Sequence, residues 1–160
     1  MGLPLLSKRA TLRFTKNRGE PMIAAIPLLL LPVLIYNILV LTMAGGFHTT
    51  EAQGQLSAQL FTVPMASGAT WPVSLSDLIL AGALVVLFIE LLKSTTSQKA
   101  AIVNHSLSMI LFVVCLVELL LLPGFATSTF FLLTLMVVLD VLAGFIVTIV
   151  SARRDIDFAD

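Results

Sequence analysis

In the run FFLLTLMVVLDVLAGFIVTIV, residues 130–150, a single aspartate, Asp140, stands among apolar residues with no charge beside it. Glu90, His105 and Glu118 are set into other apolar runs, with Asn37, Asn104 and Ser108 as neutral polar companions. Ionisable side chains surrounded by hydrocarbon are costly, so such positions point to one of two chemistries. Either they tie one helix to the next by hydrogen bonds, or they hand protons or small cations across a membrane.

Spacing gives these residues direction. Asn104, Ser108, Leu111, Cys115 and Glu118 advance by 4, 3, 4 and 3 residues and therefore share one face of a helix. Asp140 shares its face with Gly144 and Thr148, small residues that let a second helix approach closely. Counting about 1.5 Å per residue from each helix entry sets Asn37 level with Glu118 and puts Glu90 and His105 in the same half of the bilayer. Asp140 falls near the midplane. The expected pairs are Asn37 with Glu118 and His105 with Glu90, the alternative for Glu90 being Lys93 one helical turn away. Asp140, with no Lys, Arg or His expected at its depth, should bond a backbone or hydroxyl group. A relay would also use Asp77, yet Asp77 and Glu90 lie about 140° apart around their helix, which weakens a continuous path.

Other chemistries lack their residues. The chain has no phosphate-cradling G-x-x-x-x-G-K-[ST] loop, no G-x-G-x-x-G turn, no H-E-x-x-H zinc pair and no C-x-x-C redox pair. Cys115 is the lone cysteine and reads as a small core hydrophobe. His48 with Glu51 is too small a set for a metal site, and His48 and His105 belong to opposite sides of a membrane, so no metal and no haem are assigned. Catalytic residues are not identified, and no cofactor follows from the sequence.

The elements that must position these groups are membrane spans. Of 160 residues 58% are hydrophobic and only 11% charged, with a mean hydropathy of +1.06, far from the composition of soluble domains. The net charge of zero gives no reason to expect a nucleic-acid partner. Four apolar runs, residues 21–44, 75–92, 100–122 and 129–151, approach or exceed the roughly 20 residues that cross a hydrocarbon core. The expected fold is an all-α four-helix transmembrane bundle. Ser74 and Asp77 resemble a capping box, Pro123-Gly124 closes the third run, and Thr127-Ser128-Thr129 can cap the fourth. Pro27 and Pro32 are expected to kink the first helix.

Charge sets the orientation. Lys8, Arg9, Arg13, Lys16 and Arg18 precede the first run, Lys93 and Lys99 flank the second connection, and Arg153 and Arg154 follow the fourth. With alternating spans all nine basic residues fall on one side, which the positive-inside rule makes cytoplasmic for both termini. Residues 1–20 form a basic cytoplasmic arm and residues 152–160 a cytoplasmic tail. The periplasmic loop 45–74 is long for so small a protein; Ala52, Leu56 and Leu60 recur every fourth position, as in a short interfacial helix. Trp71 is placed as an anchor at headgroup level.

Over LPGFATSTFFLLTLMVVLDVLAGF, residues 122–145, the chain resembles small uncharacterised four-helix inner-membrane proteins of alphaproteobacteria, and the likeness extends over roughly residues 73–154. That resemblance implies a bacterial inner membrane and brings no activity and no site residue with it. The expected function is non-catalytic: a structural or accessory subunit of a larger membrane complex, in contact with lipid and with other subunits or copies of itself. The alternative is an oligomeric proton or small-cation channel or transporter built on the intramembrane carboxylates.

Overall fold

The computed structural model describes residues 26–43, 45–46, 51–94 and 98–157. The basic arm and His48 lie outside the described residues, as do residues 158–160 of the tail. Five helices and one hairpin follow in the order α1 Leu30–Met43, α2 Ala52–Leu56, β1 Gln59–Pro64, β2 Thr70–Ser74, α3 Leu75–Ser94, α4 Gln98–Leu121 and α5 Ser128–Asp157. A 3-10 turn at Pro123–Phe125 joins α4 to α5.

Among the described residues three helical segments are long and apolar enough to cross a membrane: Leu75–Lys93, Val103–Leu121 and Ser128–Val147. Their outward surfaces carry large apolar side chains in the open, among them Phe88, Ile110, Leu120, Leu121 and Ile146. Such surfaces suit hydrocarbon or another protein, not water. Short connections place α3, α4 and α5 antiparallel in turn. Lys93, the start of α4 and the C-terminal turns of α5 with Arg153 and Arg154 consequently share one end of the bundle.

Helix α1 differs from its expectation. It has 14 residues, about 21 Å at 1.5 Å per residue, less than the ~30 Å core of a bilayer. The prolines do not kink it; they set its start. Pro27 lies in the preceding turn, whose carbonyl accepts from the Leu30 N–H at 3.1 Å, and Pro32 occupies the first helical turn, where a missing N–H breaks no bond.

Two further expectations are corrected. The chain is not purely helical: α2 ends at Leu56, and the fourfold spacing that includes Leu60 is interrupted by an antiparallel hairpin pairing Phe61 with Val73, Thr62 with Pro72 and Val63 with Trp71. Thr62, Val63, Trp71 and Val73 are β-branched or aromatic, and Gly68 at φ +83 supplies the turn. The tail expected from residue 152 instead continues α5 without a break as far as Asp157.

Most of the buried apolar residues form one continuous core. Leu29, just ahead of α1, and Val33, Tyr36 and Val40 within it turn inward to meet Ala83, Leu87, Leu111, Cys115, Leu133 and Val137 of the other helices. At the end where α5 begins, Tyr36, Phe125 and Phe130 form an aromatic cluster with ring centroids 4.8 to 5.7 Å apart. Local signals fix the helix starts there. The Ser74 N–H and hydroxyl donate to Asp77 Oδ2 at 2.8 and 2.7 Å while the Asp77 N–H returns to Ser74 Oγ, closing a capping box on α3. Thr127 Oγ1 accepts from the Phe130 N–H at 3.1 Å and caps α5.

Candidate functional site

The polar stripe of α4 faces inward. Asn104, Ser108, Leu111 and Cys115 are all buried, and Glu118 is partly so. Each polar member meets a different helix, and it does so at a different level.

Nearest the Lys93 end, Glu90 of α3 is fully buried. The N–H groups of Leu28 and Leu29 both donate to its Oε2. Its Oε1 accepts from Asn104 Nδ2 at 2.8 Å and lies 3.6 Å from Lys93 Nζ. A carboxylate offers about four acceptor sites, and four donors are present. The two backbone donors exist because α1 starts at Leu30: groups just ahead of a helix have no carbonyl of their own to bond, and the helix dipole favours an anion there. Lys93 Nζ also reaches the Ile26 carbonyl at 2.8 Å and Asn104 Oδ1 at 3.3 Å. One network therefore fastens the entry of α1 to α3 and α4.

Deeper in the bundle, Ser108 Oγ donates to Asp140 Oδ2 at 2.6 Å, both residues being buried. This is the hydroxyl partner expected for Asp140, supplied by α4 to α5. Further toward the other end, Asn37 Nδ2 donates to its own helix at the Val33 carbonyl, at 3.1 Å, and more weakly to Glu118 Oε2 at 3.4 Å. The pairing of Asn37 with Glu118 is thus present, as a long bond.

The pairing of His105 with Glu90 is absent. His105 turns to α5, where its ring stands edge-on to Phe145 with centroids 4.5 Å apart and lies so close to Gly144 that a Cβ there would overlap it. Its Nδ1 is buried with no hydrogen-bond partner. The physical reason lies on both sides of the pair. Glu90 is already saturated by donors at the α1 entry, and Gly144 opens a slot one turn beyond Asp140 that an imidazole fills. The expectation that no histidine comes near the level of Asp140 is corrected at the same time.

Trp71 is about half exposed on the hairpin, not within the bundle. Sequence reasoning missed Leu28 and Leu29 as polar partners, and the contact of the Tyr36 hydroxyl with Thr127. Backbone N–H groups leave no trace in residue type, though Pro27 and Pro32 mark where such groups go unbonded. Among the described residues no three metal-ligating side chains come together. An apolar cleft between α1 and α3, lined by Leu31, Ile35, Leu78, Ile79, Gly82 and Val86, opens on the bundle surface and holds no ionisable group. Comparison with family models, curated proteins and solved structures gives no match.

Proposed function

We propose that the protein is a non-catalytic structural or accessory subunit of a larger membrane complex, and that its intramembrane polar residues hold the helices together. The observation that carries this reading is that the carboxylates within the bundle, two buried and one partly so, are partnered separately: Glu90 by the α1 entry, Asn104 and Lys93, Asp140 by Ser108, and Glu118 by Asn37. These sets take their donors from different elements at different levels of the bundle, whereas a relay needs its groups in series. A carboxylate such as Glu90, which takes donors from the α1 entry and from α4 as well as from Lys93 of its own helix, is arranged as a fastener.

In this proposal α1 belongs to the fourth crossing, and the basic end of the bundle faces the cytoplasm of a bacterium, with the hairpin end periplasmic. The apolar outer surfaces of α3, α4 and α5 then contact lipid on some sides and partner subunits on others. Reporter fusions after residues 55 and 160 read the orientation directly, and periplasmic activity of the second fusion would contradict it.

The second reading, an oligomeric proton or cation path, draws support from His105, whose buried Nδ1 is without a partner one helical turn from Asp140. The two are separated by purifying the protein from native membranes in mild detergent, identifying what accompanies it, and measuring proton flux in liposomes. A large stoichiometric partner with no flux supports the subunit. A homo-oligomer with flux that Asp140→Asn abolishes, the fold intact, replaces it with the channel.

A further inference from the structure

The hairpin is the part of the chain that neither function uses. It is attached directly to a span: β2 ends at Ser74 and α3 begins at Leu75, with the Ser74–Asp77 capping box at the junction. It therefore stands at the end of a helix apolar enough to cross a membrane, at the level where hydrocarbon gives way to headgroups.

Its surface is unusual for a segment outside a membrane. From residue 52 to residue 76 the chain carries no charged side chain. Leu60, Phe61, Met65 and Trp71 are 54%, 48%, 46% and 49% exposed. Residues directly opposite in a ladder share a face, so Phe61, Val63, Trp71 and Val73 form one apolar face. Val73, beside α3, is only 4% exposed, while Phe61 and Trp71 are half-open. Protein thus covers Val73, the member of the face next to α3, and leaves Phe61 opposite it and Trp71 nearer the turn half-open.

The strand edges are blunted. Pro72 stands opposite Thr62 and has no N–H for the ladder, which suits a pair whose backbone groups point outward, and Pro64 lies two residues from Thr62 along the other strand. Proline on both outer edges disfavours the addition of a third strand. What remains for recognition is the uncharged face with its indole, and indoles favour the headgroup region of a bilayer.

We infer that the hairpin lies in the membrane interface, with Phe61 and Trp71 resting in the headgroup and upper acyl region of the same leaflet that α3 enters. Because the face is uncharged, this docking needs apolar burial and not anionic lipid. The inference rests on α3 crossing the membrane; it does not depend on whether the protein is an accessory subunit or a channel.

Trp71 is the chain's single tryptophan, so its fluorescence reports the hairpin alone. The full-length protein is reconstituted in phosphatidylcholine vesicles containing lipids spin-labelled either near the headgroup or near the end of the acyl chain, with aqueous acrylamide as a third quencher. The expected result is emission blue-shifted from that of the denatured chain, stronger quenching by the shallow label than by the deep one, and weak quenching by acrylamide. Phe61→Ser should reduce the shallow quenching and raise that by acrylamide at unchanged helix content. Water-like emission open to acrylamide overturns the proposal by placing the hairpin clear of the bilayer. Shielding from acrylamide without quenching by either lipid overturns it in favour of a protein cover, and dominant quenching by the deep label overturns the interfacial depth. Co-purification of a partner, or its absence, leaves each of these outcomes unchanged.

Discussion

Two residues are buried to the same degree at opposite ends of the bundle, Glu90 and Tyr36, both with no exposed surface. Glu90 is held by donors: two backbone N–H groups, an amide and an ammonium. Tyr36 is held mainly by shape, against Phe125 and Phe130, with one hydroxyl contact to Thr127. The first arrangement depends on its partners being present, because Leu29 and Asn104, two of the donors, are themselves buried. The second is cumulative, and losing one polar atom leaves the ring packing in place.

The sharpest way to break this comparison is at Glu90. Glu90→Leu leaves the Leu28 and Leu29 N–H groups, Asn104 and Lys93 without their common acceptor. Removing one side of a buried, charged network costs about 3–5 kcal/mol. Thermal unfolding in detergent should show a large loss, with the entry of α1 exchanging its amide hydrogens before the rest of the bundle. Glu90→Gln, which keeps one carbonyl oxygen, should recover part of it. Equal stability of Glu90→Leu and the parent would remove the argument that this network fastens α1.

The next effect sits at the contact of α4 with α5. A Cβ at Gly144 would overlap the imidazole of His105. Gly144→Ala should therefore cost about 1–3 kcal/mol through overpacking, against the small gain that alanine gives a helix elsewhere. His105→Ala in the same chain removes the obstacle. A double-mutant cycle read by unfolding should show coupling of about 1 kcal/mol or more. Additive effects would mean that the ring does not occupy the slot.

The two ends also differ in what the sequence discloses. At the Tyr36 end the signals are local. Ser74 and Asp77 are three residues apart, Thr127 precedes α5, and Pro123-Gly124 follows α4, and each makes the cap or turn that its type and spacing imply. The spans and the inward stripe of α4 are legible for the same reason, since hydropathy and a 3.6-residue period act within one helix. At the Glu90 end the decisive partners are distant in the chain. Leu28 and Leu29 lie more than sixty residues from Glu90 and contribute only backbone, so depth counting chose His105 instead. The hairpin was legible in principle. Alternating Thr62, Val63, Trp71 and Val73 around Gly68 outweigh a fourfold spacing that α2 satisfies only as far as Leu56.

The smallest effect belongs to the Tyr36 hydroxyl. It bonds Thr127 Oγ1, and that oxygen also accepts from the Phe130 N–H at 3.1 Å to cap α5. Tyr36→Phe removes one of these two contacts and keeps the ring where Phe125 and Phe130 hold it. A single interhelical hydrogen bond between side chains in a membrane protein is worth about 0.6 kcal/mol, so the unfolding midpoint should move little. Thr127→Val removes the cap as well and should cost about 1 kcal/mol more. The order of the two variants is the test. If Tyr36→Phe proves as damaging as Thr127→Val, then the hydroxyl and not the aromatic packing secures this end, and Tyr36 depends on its polar partner as Glu90 does.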